Sequence, residues 1–220
     1  MGRKEYFISD THFSHENILK FERTQFSTIE EHDDFLVQMY RNLASRVKEG
    51  DIVYHLGDWG NPDYLWVNRL LTTQGAKTVF VMGNHDKVSN IELYHEYFDE
   101  VHEHACFLTD RILLSHRPYS LAEPGVLNVC GHLHASTLNS PNYLVCSVDV
   151  INYVPVERTT IDRMVGNLPK YNTKFLEESY AHLYKFAKKR NNVDVVVDSD
   201  GNINLPATMA YRKMMENNRD

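Results

Sequence analysis

Cysteine is scarce in this chain. Cys106, Cys130 and Cys146 are odd in number, and no two have Cys-x-x-Cys spacing. Each lies in or beside an apolar run, which marks it as a buried free thiol of a reducing compartment. Long apolar runs are missing too: none approaches the roughly 20 residues that a membrane span needs. The opening stretch "MGRKEYFISD" has no signal-peptide core, and Tyr6 stands where a myristoylation pattern after Gly2 requires Ser or Thr. The expectation is a cytoplasmic protein with no membrane partner. Basic charge is also short, with 23 Lys and Arg against 30 Asp and Glu, a formal net charge of -7. That balance and the lack of a basic stripe count against strong nucleic-acid binding, but not against a small anionic substrate held by metal ions. No internal repeat, low-complexity segment or linker is visible.

What is present describes a globular chain. A length of 220 residues with 42% hydrophobic and 24% charged residues suits one domain with its own core, extended by a tail. Runs at Tyr6–Ser9, Ile52–Leu56, Thr78–Met82, Ile112–Leu114, Leu127–Cys130 and Tyr143–Val148 have strand composition, apolar at nearly every position, as for strands buried on both faces. Helical patterns lie between the early strands. One runs over Thr28–Glu49, with Ser27 and Glu30 as a capping box and Gly50 closing it. A second starts at Asn61-Pro62 and stops before Gly75, and a short one covers Ile91–Phe98. Strand-helix alternation implies an α/β fold, mostly β after about residue 105. In the tail, residues 172–189 read as an amphipathic helix with Phe175, Leu176, Leu183 and Phe186 inward. Residues 193–207 read as a hairpin turning at Asp200-Gly201. Asp194, Asp198 and Asp200 do not have EF-hand spacing and are turn chemistry. The expected division is a catalytic domain over residues 1–169 and an extension over residues 170–220 packed on it.

Twelve histidines are many for this length, and they are scattered. Five strands end in Asp, Asn or His: "YFISDTH" in Asp10 and His12, "DIVYHLGD" in Asp58, "TVFVMGNHD" in Asn84, His85 and Asp86, "RILLSH" in His116, and "NVCGHLH" in His132 and His134. In α/β sheets ligands bind beyond the carboxyl ends of strands, so a shared topology would gather these residues. Any one of them could be an N-cap or a solvated strand end; the ordered set is hard to reach by accident. Carboxylate, imidazole and amide donors without thiolates suit borderline divalent cations rather than a structural zinc site.

The set "DTH" at 10–12, "GD" at 57–58, "GNHD" at 83–86, "SH" at 115–116 and "GHLH" at 131–134 resembles the calcineurin-like metallophosphoesterases. "ISDTHFSHENI", "VYHLGDW" and "SVDVINYVPV" are similar to a small bacterial and phage subgroup. The resemblance implies the family's αββα sandwich of two mixed β-sheets flanked by helices, here with a C-terminal helix and hairpin. It implies two divalent ions, Mn²⁺ first and Fe²⁺, Zn²⁺, Ni²⁺ or Mg²⁺ as the others. Asp10, His12, Asp58 and His134 would hold one; Asp58, Asn84, His116 and His132 would hold the other. Asp58 would bridge, since a carboxylate has two oxygens and a charge that screens two cations. His85 would protonate the leaving oxygen, Asp86 would orient His85, and Gly83 would let the backbone turn closely. His15, Asn17 and Arg23 are candidates to line the cleft, with a solvated helix face as the other reading. Arg117 would touch a phosphate oxygen or form a surface ion pair.

The implied activity is hydrolysis of a phosphodiester or nucleotide phosphate by a metal-bound hydroxide, in a monomer or homodimer. The alternatives are a phosphomonoesterase and a non-catalytic scaffold on the same fold. Every ligand position is filled, which counts against the scaffold. "GDWGNPD" departs from the Gly-Asp-x-Val-Asp-Arg-Gly of protein Ser/Thr phosphatases, which counts against that branch.

Overall fold

In the computed structural model, residues 2–120, 125–169, 185, 187–190, 193–197, 207–208, 211–212 and 214–215 are described. The apolar runs become strands. β1 (Glu5–Ile8), β2 (Ile52–His55), β3 (Lys77–Val81) and β4 (Glu100–His102) pair in parallel. A second sheet holds β5 (Cys106–Thr109), β6 (Ile112–Leu114), β7 (Leu127–Cys130) and β8 (Tyr143–Val145), antiparallel between β5 and β6 and parallel thereafter. β9 (Val156–Glu157) runs antiparallel to β1 at the edge of the first sheet, whose order is β4-β3-β2-β1-β9. This is an α/β architecture of two mixed sheets, the arrangement that the resemblance implies.

Alternation along the strands explains why the first sheet is apolar on both faces. Tyr6, Ile8, Val53 and Phe80 pack with Leu36, Tyr40 and Leu43 of α2 (Ile29–Ala44), with Leu71, and with Tyr94. Phe7, Tyr54, Val79 and Val81 face the other way, into Ile112, Leu114, Leu127 and Val129 of the second sheet. The short helices α3 (Arg69–Thr72) and α4 (Ile91–Tyr97) complete the outer layer, and α5 (Arg158–Asn167) adds Ile161 to the core between the sheets. A single turn, α1 (Ile18–Phe21), follows the first strand-end loop. No helix among the described residues is long and apolar enough to cross a membrane.

Several boundaries differ from expectation. The cap of α2 is Thr28, not Ser27: Thr28 Oγ1 accepts from Glu31 N (3.2 Å), and the Glu31 carboxylate accepts from Ser27 N (2.8 Å). α2 also stops at Ala44, ahead of Gly50. The buried Asp51 carboxylate accepts the Lys48 N–H (3.2 Å) and the Lys4 N–H (2.8 Å), taking a donor that a longer helix would need. Asn61 does cap its segment, accepting from Asp63 N, but Pro62–Asn68 is a 3-10 helix that leads into α3. In the tail, Ala187–Arg190 form β10, antiparallel to β11 (Val193–Val196). The last turn of the helix expected over 172–189 is therefore strand. The rest of that helix, bar residue 185, and the turn at 200–201 lie outside the described residues.

Phe80 is the central packing element: it is fully buried on the middle of the first sheet and stacks on Phe98 at 4.7 Å, with Tyr94 and His55 around it. Phe80→Ala is expected to cost about 3–5 kcal/mol of stability. Urea denaturation checks this; a loss below about 1 kcal/mol, the level of an average substitution, would contradict that placement.

Candidate metal centre

The backbone pairing of β1 with β2 does not end with the strands. Leu56 N donates to Ile8 O, Asp10 N to Gly57 O, His12 N to Asp58 O and Phe13 N to Trp59 O, all at 2.8–3.0 Å. Beyond β1 the chain also pairs with the end of β8, through Ser9 N to Cys146 O (2.9 Å) and Val148 N to Ser9 O (3.1 Å). The two sheets are thus stitched together at one edge, where the polar strand ends lie. Asp10, His12, Asp58, His132 and His134 all have φ between 48° and 70°. Non-glycine residues rarely adopt this left-handed region, and such outliers cluster at functional sites.

Two groups result. Asp10, His12 and His134 bring one ligand atom each to within 4.8 Å of one another, and so do Asp58, His116 and His132. Asp58 joins them. Its Oδ2 lies 3.5 Å from His12 Nε2 and 3.2 Å from His116 Nε2, one nitrogen from each group. Its Oδ1 accepts the His85 N–H at 2.9 Å. The carboxylate therefore faces both groups through one oxygen, not two, because the other is committed to the backbone. Asn84 belongs to the second group, with Oδ1 3.1 Å from His116 Nε2.

The donor chemistry fits cations. His116 Nδ1–H donates to Leu56 O (2.9 Å), so Nε2 carries the lone pair. That lone pair faces the Asn84 and Asp58 oxygens. Three acceptors converge, and something positive must sit among them: a proton or a metal ion. Burial acts to lower the His116 pKa, but Asp58, Asp10 and Leu56 O together outweigh it and the pKa is raised. Both ring nitrogens of His12 and Asp58 Oδ2 are buried without hydrogen-bond partners. Such orphans are costly unless a ligand satisfies them. Burial pushes His12 down to about 2, which keeps the ring neutral, the form that binds cations. Burial pushes Asp10 up to about 6, while Ser9 Oγ (2.5 Å) and His132 N–H donate to its carboxylate. For Asp58, burial acts upward but the contacts with His116 and His12 prevail, and its pKa is lowered.

The supporting residues correct two expectations. Asp86 does not contact the His85 ring among the described hydrogen bonds. Its carboxylate accepts from Asp58 N (2.7 Å), Gly83 N (2.7 Å) and Trp59 N (3.0 Å), so it ties the second and third ligand loops together. Arg23 does not line the cleft. It is fully buried and all its partners lie inside: Thr11 O, Asp10 O, His32 and Asp149. Gly83 is placed as expected, since an added Cβ would collide with the Asp58 carboxylate and lie 2.5 Å from Asp58 N.

His85 is exposed, with its ring edge-on to His12 (5.4 Å) and His15 (5.5 Å). His15 and Asn17 do line a cleft of about 330 Å³ against His12, His85 and His134, walled by Ile18 and Phe21. Arg117 is exposed beyond His116, and its charge reaches His132 rather than that cleft. Missed from the sequence was Asp149, which ends the β8 run as Asp10 ends β1 and was thus open to the same rule. Burial pushes the Cys106 and Cys130 thiols up to about 12, which disfavours their thiolate forms. Cys106 is only half-buried, short of the expected full burial.

The family model of the calcineurin-like phosphoesterases matches residues 6–199. The uncharacterized protein MJ1445 of Methanocaldococcus jannaschii is 33% identical over 175 residues, spanning 74% of this chain and 92% of that one. The crystal structure of AQ665, a protein of unknown function from Aquifex aeolicus, superposes with a TM-score of 0.58 at 28% identity, covering 74% of this chain and all of that one.

Asp58→Asn places an N–H donor or leaves a neutral oxygen where both groups need an anionic one. Divalent-ion affinity should fall at both positions by more than the roughly 10–100-fold typical for loss of an outer-shell partner. Metal titration with elemental analysis checks this; wild-type affinity at either position would show that Asp58 is not shared.

Proposed function

The chain belongs to the calcineurin-like phosphoesterase family, and from that premise we propose that it hydrolyses a small phosphodiester or nucleotide phosphate with two divalent ions. Asp10, His12, Asp58 and His134 would hold one ion and Asp58, Asn84, His116 and His132 the other. The observation that carries this reading is the unpartnered Asp58 Oδ2, aimed at a nitrogen of each group. The oxygen and nitrogen donors suit Mn²⁺, Fe²⁺, Zn²⁺, Ni²⁺ or Mg²⁺, and the family resemblance puts Mn²⁺ first. Bound there, such ions supply Lewis-acid polarisation of the phosphate and acidify a coordinated water.

The chain's own residues do the rest. The His85 backbone N–H holds Asp58 Oδ1, so Oδ2 keeps its aim. The exposed His85 ring, above His12 and beside His15, is free to give a proton to the leaving oxygen. Asp86 contributes indirectly, by fixing the loops that carry Asp58 and Asn84. His15 and Asn17, which line the cleft, would contact the ester group, and Arg117 would reach the phosphate from the His132 side. Phosphomonoesters are the alternative substrate class. A screen of Mn²⁺-loaded protein against monoesters, diesters and cyclic or dinucleotides separates the two.

His85→Ala should retain both ions, because the ligand set is complete without it, and lose rate by about 10²–10⁴-fold. The loss should shrink for leaving groups of low pKa, which need no proton. Equal losses for good and poor leaving groups would rule out the acid role.

A further inference from the structure

Beneath the first metal-ligand group lies a charged pair that the hydrolytic reading does not use. Arg23 is fully buried. Its Nε donates to Asp149 Oδ1 (2.8 Å) and its Nη2 to Asp149 Oδ2 (3.0 Å), a bidentate pair. Nη1 donates to Thr11 O (2.7 Å) and to His32 Nε2 (2.7 Å), and Nη2 also donates to Asp10 O. His32 Nδ1–H in turn donates to Asp33 Oδ1 (2.8 Å), and Asp33 accepts the Ser14 N–H (3.0 Å). One guanidinium therefore joins the start of α2, the carbonyls of the Asp10–His12 loop and the loop after β8.

On its far side Asp149 approaches a ligand. Asp149 Oδ2 lies 3.7 Å from His134 Nδ1, a buried nitrogen with no hydrogen-bond partner. Ser147 Oγ donates to the same oxygen (3.1 Å) and holds the carboxylate in place. A carboxylate facing one nitrogen of an imidazole sets the tautomer and turns the other nitrogen's lone pair toward a cation. His134 sits in left-handed backbone (φ 48°) with its ring stacked on His12 at 5.0 Å, so its orientation must be imposed from outside its own local preference.

We propose that Asp149 and Arg23 are positioning residues for one metal position only: Asp149 orients His134, and Arg23 locks Asp149 to the backbone of Asp10 and Thr11. The Asp10–His12–His134 group is thereby built as one unit. In the Asp58–His116–His132 group, Leu56 O and the His85 N–H orient His116 and Asp58. The His132 N–H on the Asp10 carboxylate ties this group to the first, and no described hydrogen bond joins Arg23 or Asp149 to Asp58, His116 or His132. The proposal rests on the two-ion reading above.

The test is Mn²⁺ binding to the full chain, followed by titration calorimetry and electron paramagnetic resonance. Wild-type protein should take two ions and show an exchange-coupled pair. Asp149→Asn keeps the volume and an acceptor for Arg23 but lets the side chain present an N–H to His134. It should weaken one position by about 10–100-fold, leave the other unchanged and convert the coupled spectrum to that of isolated ions. If Asp149→Asn does not fold, as judged by its melting curve, Arg23→Gln with Asp149→Asn removes both charges and should give the same one-position loss. Two ions of unchanged affinity in the variant would overturn the proposal alone. Equal weakening at both positions would also overturn it, since a merely structural pair loosens the whole edge. Fewer than two ions in the wild type would overturn the two-ion reading and this proposal with it.

Discussion

Asp58 Oδ2 is a buried anionic oxygen without a hydrogen-bond donor, held close to a nitrogen of His12 and a nitrogen of His116. Desolvating an ion costs several kcal/mol, repaid only by a good counter-charge. Most of the surrounding architecture maintains this unfavourable arrangement. The His85 N–H takes the other oxygen, Leu56 O takes the other nitrogen of His116, and burial keeps His12 neutral. Each contact removes a way in which the acceptors could satisfy themselves without a cation.

Holding such a group requires a stiff frame, and the two apolar sheets supply it. Between them, Phe7, Tyr54, Val79 and Val81 meet Ile112, Leu114, Leu127 and Val129 in one core, so the ends of β1, β2, β3, β6 and β7 are fixed relative to one another. Pairing that continues past β1 and β2 carries this rigidity into the ligand loops. Trp59, next in chain to Asp58, is fully buried among Phe13, Tyr40, His55 and Phe98. Left-handed backbone at Asp10, His12, Asp58, His132 and His134 is tolerated because packing on both sides over-determines it.

Charge is distributed to match. A chain of net charge -7 concentrates imidazoles at one sheet edge and buries a guanidinium directly beneath. Arg23 compensates Asp149, and together they brace the loop that carries Asp10 and His12. Replacing such a pair with apolar residues is often neutral or better for stability. The proposed orientation of His134 gives the pair a role beyond fold stability.

Strand-ending polar residues and apolar runs are local features, so the sequence by itself determined the α/β class, six of the strands and the polar strand ends Asp10, His12, Asp58, Asn84, His116, His132 and His134, which the fold gathers at one sheet edge. Ligand identity is set by residue type at a strand end, and strand ends are visible as changes in hydropathy. The partners of Asp86, the burial of Arg23 and the place of Asp149 were not legible. Each depends on contacts between segments distant in the chain: Asp86 with the Asp58 loop, Arg23 with Asp149, Asp149 with His134. A polar side chain beside a ligand reads the same in one dimension whether it faces the substrate or the interior. Only the tertiary structure decides which, because the choice is made by whichever donor or acceptor the fold brings within about 3 Å.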